Sequence, residues 1–162
     1  MITIRKAGDL DAREMAELLE AIIQKGGTTA HTGPVSKDTI LQWMQRDPDR
    51  AAWHIAEDEN GQILGFQFIE PYPDLPPEAC DIASFVKLGQ TGLGIGTLLF
   101  DASRQAAKDL GYDWINATIR ADNSGGLAYY QSRGFETYAR HGNQKLADGA
   151  IVDKVSKRYD LT

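Results

Sequence analysis

The stretch that decides the fold is VKLGQTGLGIGTLLFDASR, residues 86–104. It joins an apolar strand pattern to a helical pattern through a loop that contains Gly92, Gly94 and Gly96. Glycine has no Cβ, so a bound group can approach the backbone closely there. The first turn of the following helix has unpaired N–H groups and the positive end of the helix dipole. The pattern therefore predicts a phosphate-binding site in front of this helix.

Other kinds of glycine-rich loop fit the spacing less well. A nucleoside-triphosphate loop needs lysine next to Ser or Thr after its last glycine, but Thr97 follows Gly96 directly. A dinucleotide fingerprint needs glycine where Thr97 or Leu99 stands. A turn without a ligand gives little reason for three glycines, because each costs backbone entropy. Nicotinamide dinucleotide binding is kept as the weaker alternative.

The loop also resembles a known motif. GQTGLGIGTLLF is similar to the pyrophosphate-binding motif Q/R-x-x-G-x-G/A of the GCN5-related N-acetyltransferase (GNAT) superfamily, when Gly94 and Gly96 are placed on its two glycines. The chain departs from the motif at Thr91, where the family usually has Gln or Arg, and Gln90 lies one place early. This departure leaves the frame of the loop open.

A second segment carries the same resemblance. NSGGLAYYQSRGF, residues 123–135, resembles the downstream GNAT motif N-x-x-A-x-x-L-Y-x-x-x-G-F, with Gly126 in place of Ala and Tyr129 in place of Leu. The two motifs occur in the family's order and about thirty residues apart, which is far more specific than either alone. The resemblance therefore identifies the chain as a member of the GNAT superfamily.

Length, composition and pattern predict the domain organisation. With 162 residues, the chain is expected to be a single domain, 1–162. Strand patterns, four helical patterns and one strand–loop–helix–strand unit over residues 81–119 predict an α+β fold. That unit requires two parallel strands. The resemblance implies the GNAT arrangement, a mixed, mostly antiparallel sheet flanked by about four helices, in which this unit holds the cofactor loop.

Charge and cysteine content exclude several classes of partner and site. The net charge of −6 argues against nucleic acid as a partner, because phosphate backbones attract basic surfaces. Cys80 is the only cysteine, so no internal disulfide or cysteine metal cluster can form, and we expect no metal site. The sequence has no apolar run of membrane length and no signal-like segment, which predicts a cytoplasmic protein with no membrane partner.

The resemblance implies acetyl-CoA as the co-substrate. Its pyrophosphate would be held by loop N–H groups, and its pantetheine arm would lie between two strands that splay apart in the superfamily. Because Thr91 replaces the usual arginine, we expect binding through the backbone and not through a side-chain cation. The expected cofactor-binding residues are Phe85, Val86, Thr91, Gly92, Leu93, Gly94, Ile95, Gly96, Thr97, Asn123 and Tyr130.

Amine acetylation needs a base and an acid. A free aliphatic amine is mostly protonated at pH 7, so a group must remove a proton, and the departing thiolate then needs one. Tyr130 matches the family tyrosine that is commonly assigned as the acid, whereas Tyr129 is expected to pack. Glu70 and Asp81 are candidate bases because each lies at a strand end. His31, in a polar loop, either contacts the acceptor or is solvated.

The sequence thus predicts an N-acetyltransferase that moves an acetyl group from acetyl-CoA to an amine of a small molecule or peptide by direct attack. A homodimer is also compatible with the resemblance. The main alternative is a non-catalytic module that binds and senses acetyl-CoA. The acceptor is not encoded in any motif, and amino acids, polyamines, aminoglycosides and protein amines all stay open.

Overall fold

The computed structural model describes residues 1–90 and 93–162. Four helices and seven strands are present in this part of the chain. In chain order they are β1 (Thr3–Lys6), α1 (Ala12–Lys25), α2 (Lys37–Met44), β2 (Ala52–Glu57), β3 (Ile63–Glu70), β4 (Ala79–Val86), α3 (Ile95–Asp109), β5 (Trp114–Arg120), α4 (Ser124–Arg133), β6 (Glu136–Lys145) and β7 (Ile151–Asp160).

All seven strands form one sheet in the order β1-β2-β3-β4-β5-β7-β6. The pair β4–β5 is parallel and every other neighbouring pair is antiparallel. Helix α3 connects the two parallel strands, as a crossover between parallel strands requires. The predicted fold class, with its mixed sheet, its four flanking helices and its strand–loop–helix–strand unit, is confirmed.

The two parallel strands pair only at their beginnings. The pairs are Ala79 with Trp114, Cys80 with Ile115 and Asp81 with Asn116. From there β4 stays paired with β3 as far as Val86, and β5 stays paired with β7 along its length. The sheet therefore opens between β4 and β5 after the last shared pair, and this opening is called the slot below.

The helices cover the sheet from both sides. Strand side chains alternate between the faces, so each face collects every second residue. Helices α1 and α2 cover one face, the α1/α2 face, with a core that includes Met15, Leu19, Ile40, Trp53, Ile55, Phe66, Phe68 and Phe85. The α3/α4 face has a core that includes Ile69, Ile82, Phe100, Ile115, Ile119, Tyr130 and Phe135. Within the two described ranges, no helix has both the length and the apolar character to cross a membrane.

Candidate active site

The predicted anion site lies at the N-terminus of α3. Gly94 caps the helix in the left-handed region with φ +80°, a conformation that residues with a Cβ rarely adopt. Among the residues that the structure describes, no atom lies within 4 Å of a Cβ built on Gly94, which leaves space beside the first turn. Leu93, one residue earlier, is 59 % exposed, and Ile95 is buried beneath the loop. The geometry therefore leaves free N–H groups and space together, as a phosphate needs.

Gly96 is glycine for a different reason. A Cβ on Gly96 would lie 2.6 Å from Cε1 of Tyr129, so the tyrosine ring occupies the space that any other side chain would need. The hydroxyl of Tyr129 also donates a hydrogen bond to the Gly96 carbonyl, with 2.7 Å between the oxygens. Tyr129 packs, as predicted, and in addition it ties α4 to the first turn of α3.

A cation lies beside this loop that the sequence did not indicate. Nη1 of Arg133 in α4 donates to Oγ1 of Thr97 across 2.6 Å, and its guanidinium lies 5.9 Å from the Tyr129 ring centroid. Arg133 was not among the predicted site residues, and binding of the cofactor through the loop backbone stays a prediction. Thr91 and Gly92, two of the predicted cofactor-binding residues, lie outside the described residues.

Tyr130 lies at the slot on the α3/α4 face. It is 7 % exposed, and its hydroxyl is 2.8 Å from Oγ of Ser84 in β4, past the point where β4 and β5 separate. Burial raises the pKa of Tyr130 well above its ordinary value, although the hydrogen bond with Ser84 acts in the opposite direction. The phenol therefore carries its proton at neutral pH, which a general acid must do.

Gln67 in β3 is hydrogen-bonded to Tyr129 directly and is linked to Tyr130 through Ser84. Its side chain is completely buried, and Nε2 lies 2.7 Å from Oγ of Ser84 and 3.1 Å from the hydroxyl of Tyr129. Neither Gln67 nor Ser84 was predicted to belong to the site. The available signal was a single polar residue inside each of the apolar strand patterns ILGFQFIE and DIASFV.

Asn123 uses both polar atoms of its side chain within the fold. Oδ1 accepts a hydrogen bond from the Gly126 amide at 3.0 Å and so caps α4, and Nδ2 donates to the Thr28 carbonyl at 2.8 Å. A Cβ on Gly126 would lie 2.5 Å from that Nδ2, which explains glycine where the family motif has alanine. Cofactor binding by Asn123 stays a prediction.

The predicted residues at the end of β4 face opposite sides of the sheet. Phe85 is buried on the α1/α2 face, with its ring centroid 5.1 Å from that of Phe66. Val86 packs on the other face against the cluster that contains Ile95 and Leu99. These side chains therefore form part of the slot wall on both faces.

Glu70 and Asp81 lie directly opposite each other in the β3–β4 pair, on the α1/α2 face. Nη2 of Arg46 donates to Oε2 of Glu70 across 2.6 Å, and Nδ2 of Asn116 donates to Oδ1 of Asp81 across 2.9 Å. Burial raises the pKa of Glu70. It also raises the pKa of Asp81 to about 6, with a smaller contribution from the charge of Glu70.

The acid and base candidates therefore approach the slot from opposite faces of the sheet. Asp81 lies on the α1/α2 face and Ser84, which is bonded to Tyr130, lies on the α3/α4 face, because residues three apart in a strand point in opposite directions. Asp81 belongs to the last pair that β4 shares with β5. A molecule in the slot could thus meet the carboxylate on one side and the phenol on the other.

His31 and Trp43 flank the α1/α2 side of this site. The ring centroids of His31 and Trp43 are 4.8 Å apart, and His31 lies 6.2 Å from the Phe85 ring. Desolvation lowers the pKa of His31, and the positive charges of Arg46 and Lys154 lower it further. His31 is exposed and its ring is tilted by 35° against that of Trp43, so contact with the acceptor stays a prediction.

Comparisons with known proteins agree with this geometry. The model of the Acetyltransferase (GNAT) family matches residues 15–135. A curated relative, "Putative phosphinothricin acetyltransferase YwnH" of Bacillus subtilis (strain 168), is 25% identical over 162 residues, which cover 99% of this chain and 95% of the relative.

Solved structures share the whole fold. An N-acetyltransferase from Staphylococcus aureus Mu50 superposes with a TM-score of 0.88 at 22% identity, covering 100% of this chain and 99% of the other. A GNAT superfamily phosphinothricin acetyltransferase from Sinorhizobium meliloti in complex with AcCoA gives 0.87 at 19% identity, covering 98% and 88%. Because the family model spans well over half of the chain, this protein belongs to the GNAT acetyltransferase family.

Proposed function

We propose that this acetyltransferase transfers the acetyl group of acetyl-CoA directly to the amine of a small molecule, with chain 1–162 acting as one domain. The observation that most strongly supports this proposal is the slot between β4 and β5, which has Asp81 on one face and Tyr130 on the other. Acetyl-CoA supplies a thioester carbonyl to this slot. The described residues fit it, because Gly94 leaves open space at the α3 N-terminus and Arg133 adds a positive charge nearby.

Asp81 is the proposed base. Its raised pKa of about 6 leaves it ionised at neutral pH yet basic enough to take a proton from an amine on the α1/α2 face. Glu70 is the weaker candidate, because its carboxylate is already bonded to Arg46. The neutral nitrogen then forms the new bond to the acetyl carbon and releases a second proton to solvent, and the bond from that carbon to sulfur breaks.

Tyr130 is the proposed acid for the departing sulfur. Its phenol keeps its proton at neutral pH because burial raises its pKa. It lies on the face of the sheet opposite Asp81, so it can give that proton to the thiolate while the acceptor occupies the other side. The reaction then leaves an N-acetylated product and free thiol, and Asp81 and Tyr130 return to their starting states by exchange with solvent.

The α1/α2 side favours an acceptor with an acidic group next to its amine. The side chain of Arg46 is 47 % exposed. Its positive charge and that of Lys154 both lower the pKa of His31, which shows that they lie near this side of the site. Three of the similar proteins bear phosphinothricin in their names. Phosphinothricin and amino acids are therefore the first acceptors to test, ahead of polyamines, aminoglycosides and peptides.

The direct experiment measures thiol release from acetyl-CoA with each acceptor, and mass spectrometry of the product. We expect release that depends on the acceptor and a mass increase of one acetyl group on its amine. Acetyl-CoA binding by calorimetry with no release for any acceptor of the panel would contradict the catalytic proposal and support a sensing module. Thiol release with polyamines alone would contradict the proposal that the acceptor has an acidic group next to its amine.

A further inference from the structure

A continuous series of hydrogen bonds joins the first turn of α3 to Tyr130. The Gly96 carbonyl accepts from the Tyr129 hydroxyl at 2.7 Å, and Nε2 of Gln67 lies 3.1 Å from that hydroxyl. The same nitrogen lies 2.7 Å from Oγ of Ser84, which is 2.8 Å from the hydroxyl of Tyr130. The series runs entirely through short contacts at the α3/α4 face of the slot.

The available hydrogens fix the direction of this series from Gly96 as far as Ser84. A carbonyl can only accept, so Tyr129 must give its one hydrogen to Gly96. The oxygen of Tyr129 must therefore accept from Gln67, which requires the NH₂ group of the amide, and not its oxygen, to face the tyrosine. The second hydrogen of that NH₂ group then goes to Ser84.

The last step sets the proton of the catalytic tyrosine. Ser84 accepts from Gln67 and has one hydroxyl hydrogen of its own, which can point at the oxygen of Tyr130. In that orientation Tyr130 accepts from Ser84, and its phenolic hydrogen is not used within the series. That hydrogen is left for a group in the slot.

We propose that Gln67 is a positioning residue, which orients Ser84 so that the phenolic hydrogen of Tyr130 is presented to the leaving thiolate. This inference rests on the proposed acid role of Tyr130. With the opposite direction, Tyr130 would donate to Ser84 and would have to break that hydrogen bond before it could protonate sulfur. The donor from Ser84 also stabilises the phenolate that forms as the proton leaves.

The burial of Gln67 supports this role. Every residue of β3 is buried, and Gln67 is 0 % exposed. Burying an amide costs free energy unless its polar atoms are hydrogen-bonded, and Oε1 of Gln67 has no partner within the described residues. An apolar side chain of similar size would avoid that cost, so the two bonds of Nε2 explain the residue better than packing does.

The test replaces Gln67 by methionine, which has a similar shape and no donor. With saturating acetyl-CoA, the single-turnover rate of Gln67→Met should fall about 10-fold, the effect of losing roughly one hydrogen bond in the transition state. Acetyl-CoA affinity should change by less than about threefold, because the series does not contact the open side of the loop. Gln62→Met, the same change at an exposed turn residue, should keep the parent rate.

The decisive measurement is a double-mutant cycle. If Gln67 acts through the proton of Tyr130, then Gln67→Met should slow the parent enzyme but not the Tyr130→Phe variant, which has no phenolic proton to present. Rate losses that multiply would overturn the inference and show a general packing role. A parent rate for Gln67→Met while Tyr130→Phe is slow would also overturn it, without touching the proposed function.

The same set of variants distinguishes two further outcomes. A parent rate for Tyr130→Phe would overturn the acid role itself, and the positioning role with it. If Gln67→Met does not fold by circular dichroism, Ser84→Ala removes the donor to Tyr130 at a half-buried position instead. It should give the same loss of about 10-fold and the same lack of effect in Tyr130→Phe, and independent losses would overturn the inference.

Discussion

Glu70 and Asp81 face each other across the β3–β4 pair, but their carboxylates have different partners. Glu70 is bonded to the guanidinium of Arg46, a cation, whereas Asp81 accepts from the neutral amide of Asn116. A cation favours the charged form of a carboxyl more than an amide does. Burial raises the pKa of both carboxyls; the charge of Arg46 opposes that rise at Glu70, whereas the pKa of Asp81 reaches about 6.

This difference predicts the pH dependence of the enzyme. Since the pKa of Asp81 is raised to about 6, kcat/KM should fall as the pH drops through about 6, where the base becomes protonated. Asp81→Asn should lose about 10²–10⁴-fold in rate and lose this limb of the profile. The acceptor amine titrates identically in every variant, so a difference between the profiles reports the carboxyl.

Glu70→Gln is the matched control for the base. It should keep the acidic limb and shift it slightly to lower pH, because the charge of Glu70 helps to raise the pKa of Asp81. The opposite pattern, in which Glu70→Gln removes the limb and Asp81→Asn retains it, would assign the base to Glu70.

The same raised pKa predicts a change in stability. A carboxyl that holds its proton more tightly when folded makes the free energy of unfolding decrease as the pH rises from about 4 to about 6. Asp81→Asn removes the buried charge, so it should be more stable than the parent above pH 6, by up to about 3 kcal/mol. Urea unfolding at pH 5 and pH 8 measures this, and an equal effect at both values would contradict it.

Tyr130→Phe tests the proposed acid while keeping the aromatic ring. Its single-turnover rate with saturating acetyl-CoA should fall by about 10²–10⁴-fold, with little change in acetyl-CoA affinity. Ser84 loses only the acceptor for its hydroxyl hydrogen, so folding should be preserved. Acetylation at the parent rate would show that water or another group protonates the thiolate.

Gly94 and Gly111 allow a matched test of the anion site. Both are in the left-handed region, with φ of +80° and +88°, and a Cβ on either would meet no atom of the described part of the chain within 4 Å. They lie at opposite ends of α3, so alanine should cost each a similar backbone strain of about 1–2 kcal/mol. Calorimetry should show weaker acetyl-CoA binding for Gly94→Ala and unchanged binding for Gly111→Ala. Equal losses of acetyl-CoA affinity in the two variants would contradict the placement of the anion site at the α3 N-terminus.

Gly96 and Tyr129 should behave as a coupled pair. Gly96→Ala forces a methyl group against the tyrosine ring, which is held by two hydrogen bonds, and should lower the free energy of unfolding by about 1–3 kcal/mol. Tyr129→Leu should cost less in the Gly96→Ala background than in the parent, because it removes the obstructing ring. If urea unfolding shows that the two losses of unfolding free energy are additive, the added methyl group must be accommodated by a shift that does not involve the Tyr129 ring.

Much of the fold and of the cofactor site could be predicted from short-range patterns. The glycine loop before α3, the tyrosine four residues before Gly134 and the hairpin at Asn60-Gly61 all depend on residues close in sequence. Their backbone preferences and spacing carry the information. The paired carboxylates were found only as strand ends, since neither a period nor a motif says which residues face each other across two strands.

The sequence by itself determined the family, the α+β class and the position of the glycine turn before α3, because glycine conformation and strand and helix periodicity are local properties of the chain. Only the tertiary structure decided that Gln67, Ser84 and the two tyrosines form one series, that Arg133 lies beside the loop, and that Asp81 opposes Glu70. These contacts join residues up to 62 positions apart. They depend on strand register and on where β4 and β5 separate, and both are set by how the whole sheet packs against its helices.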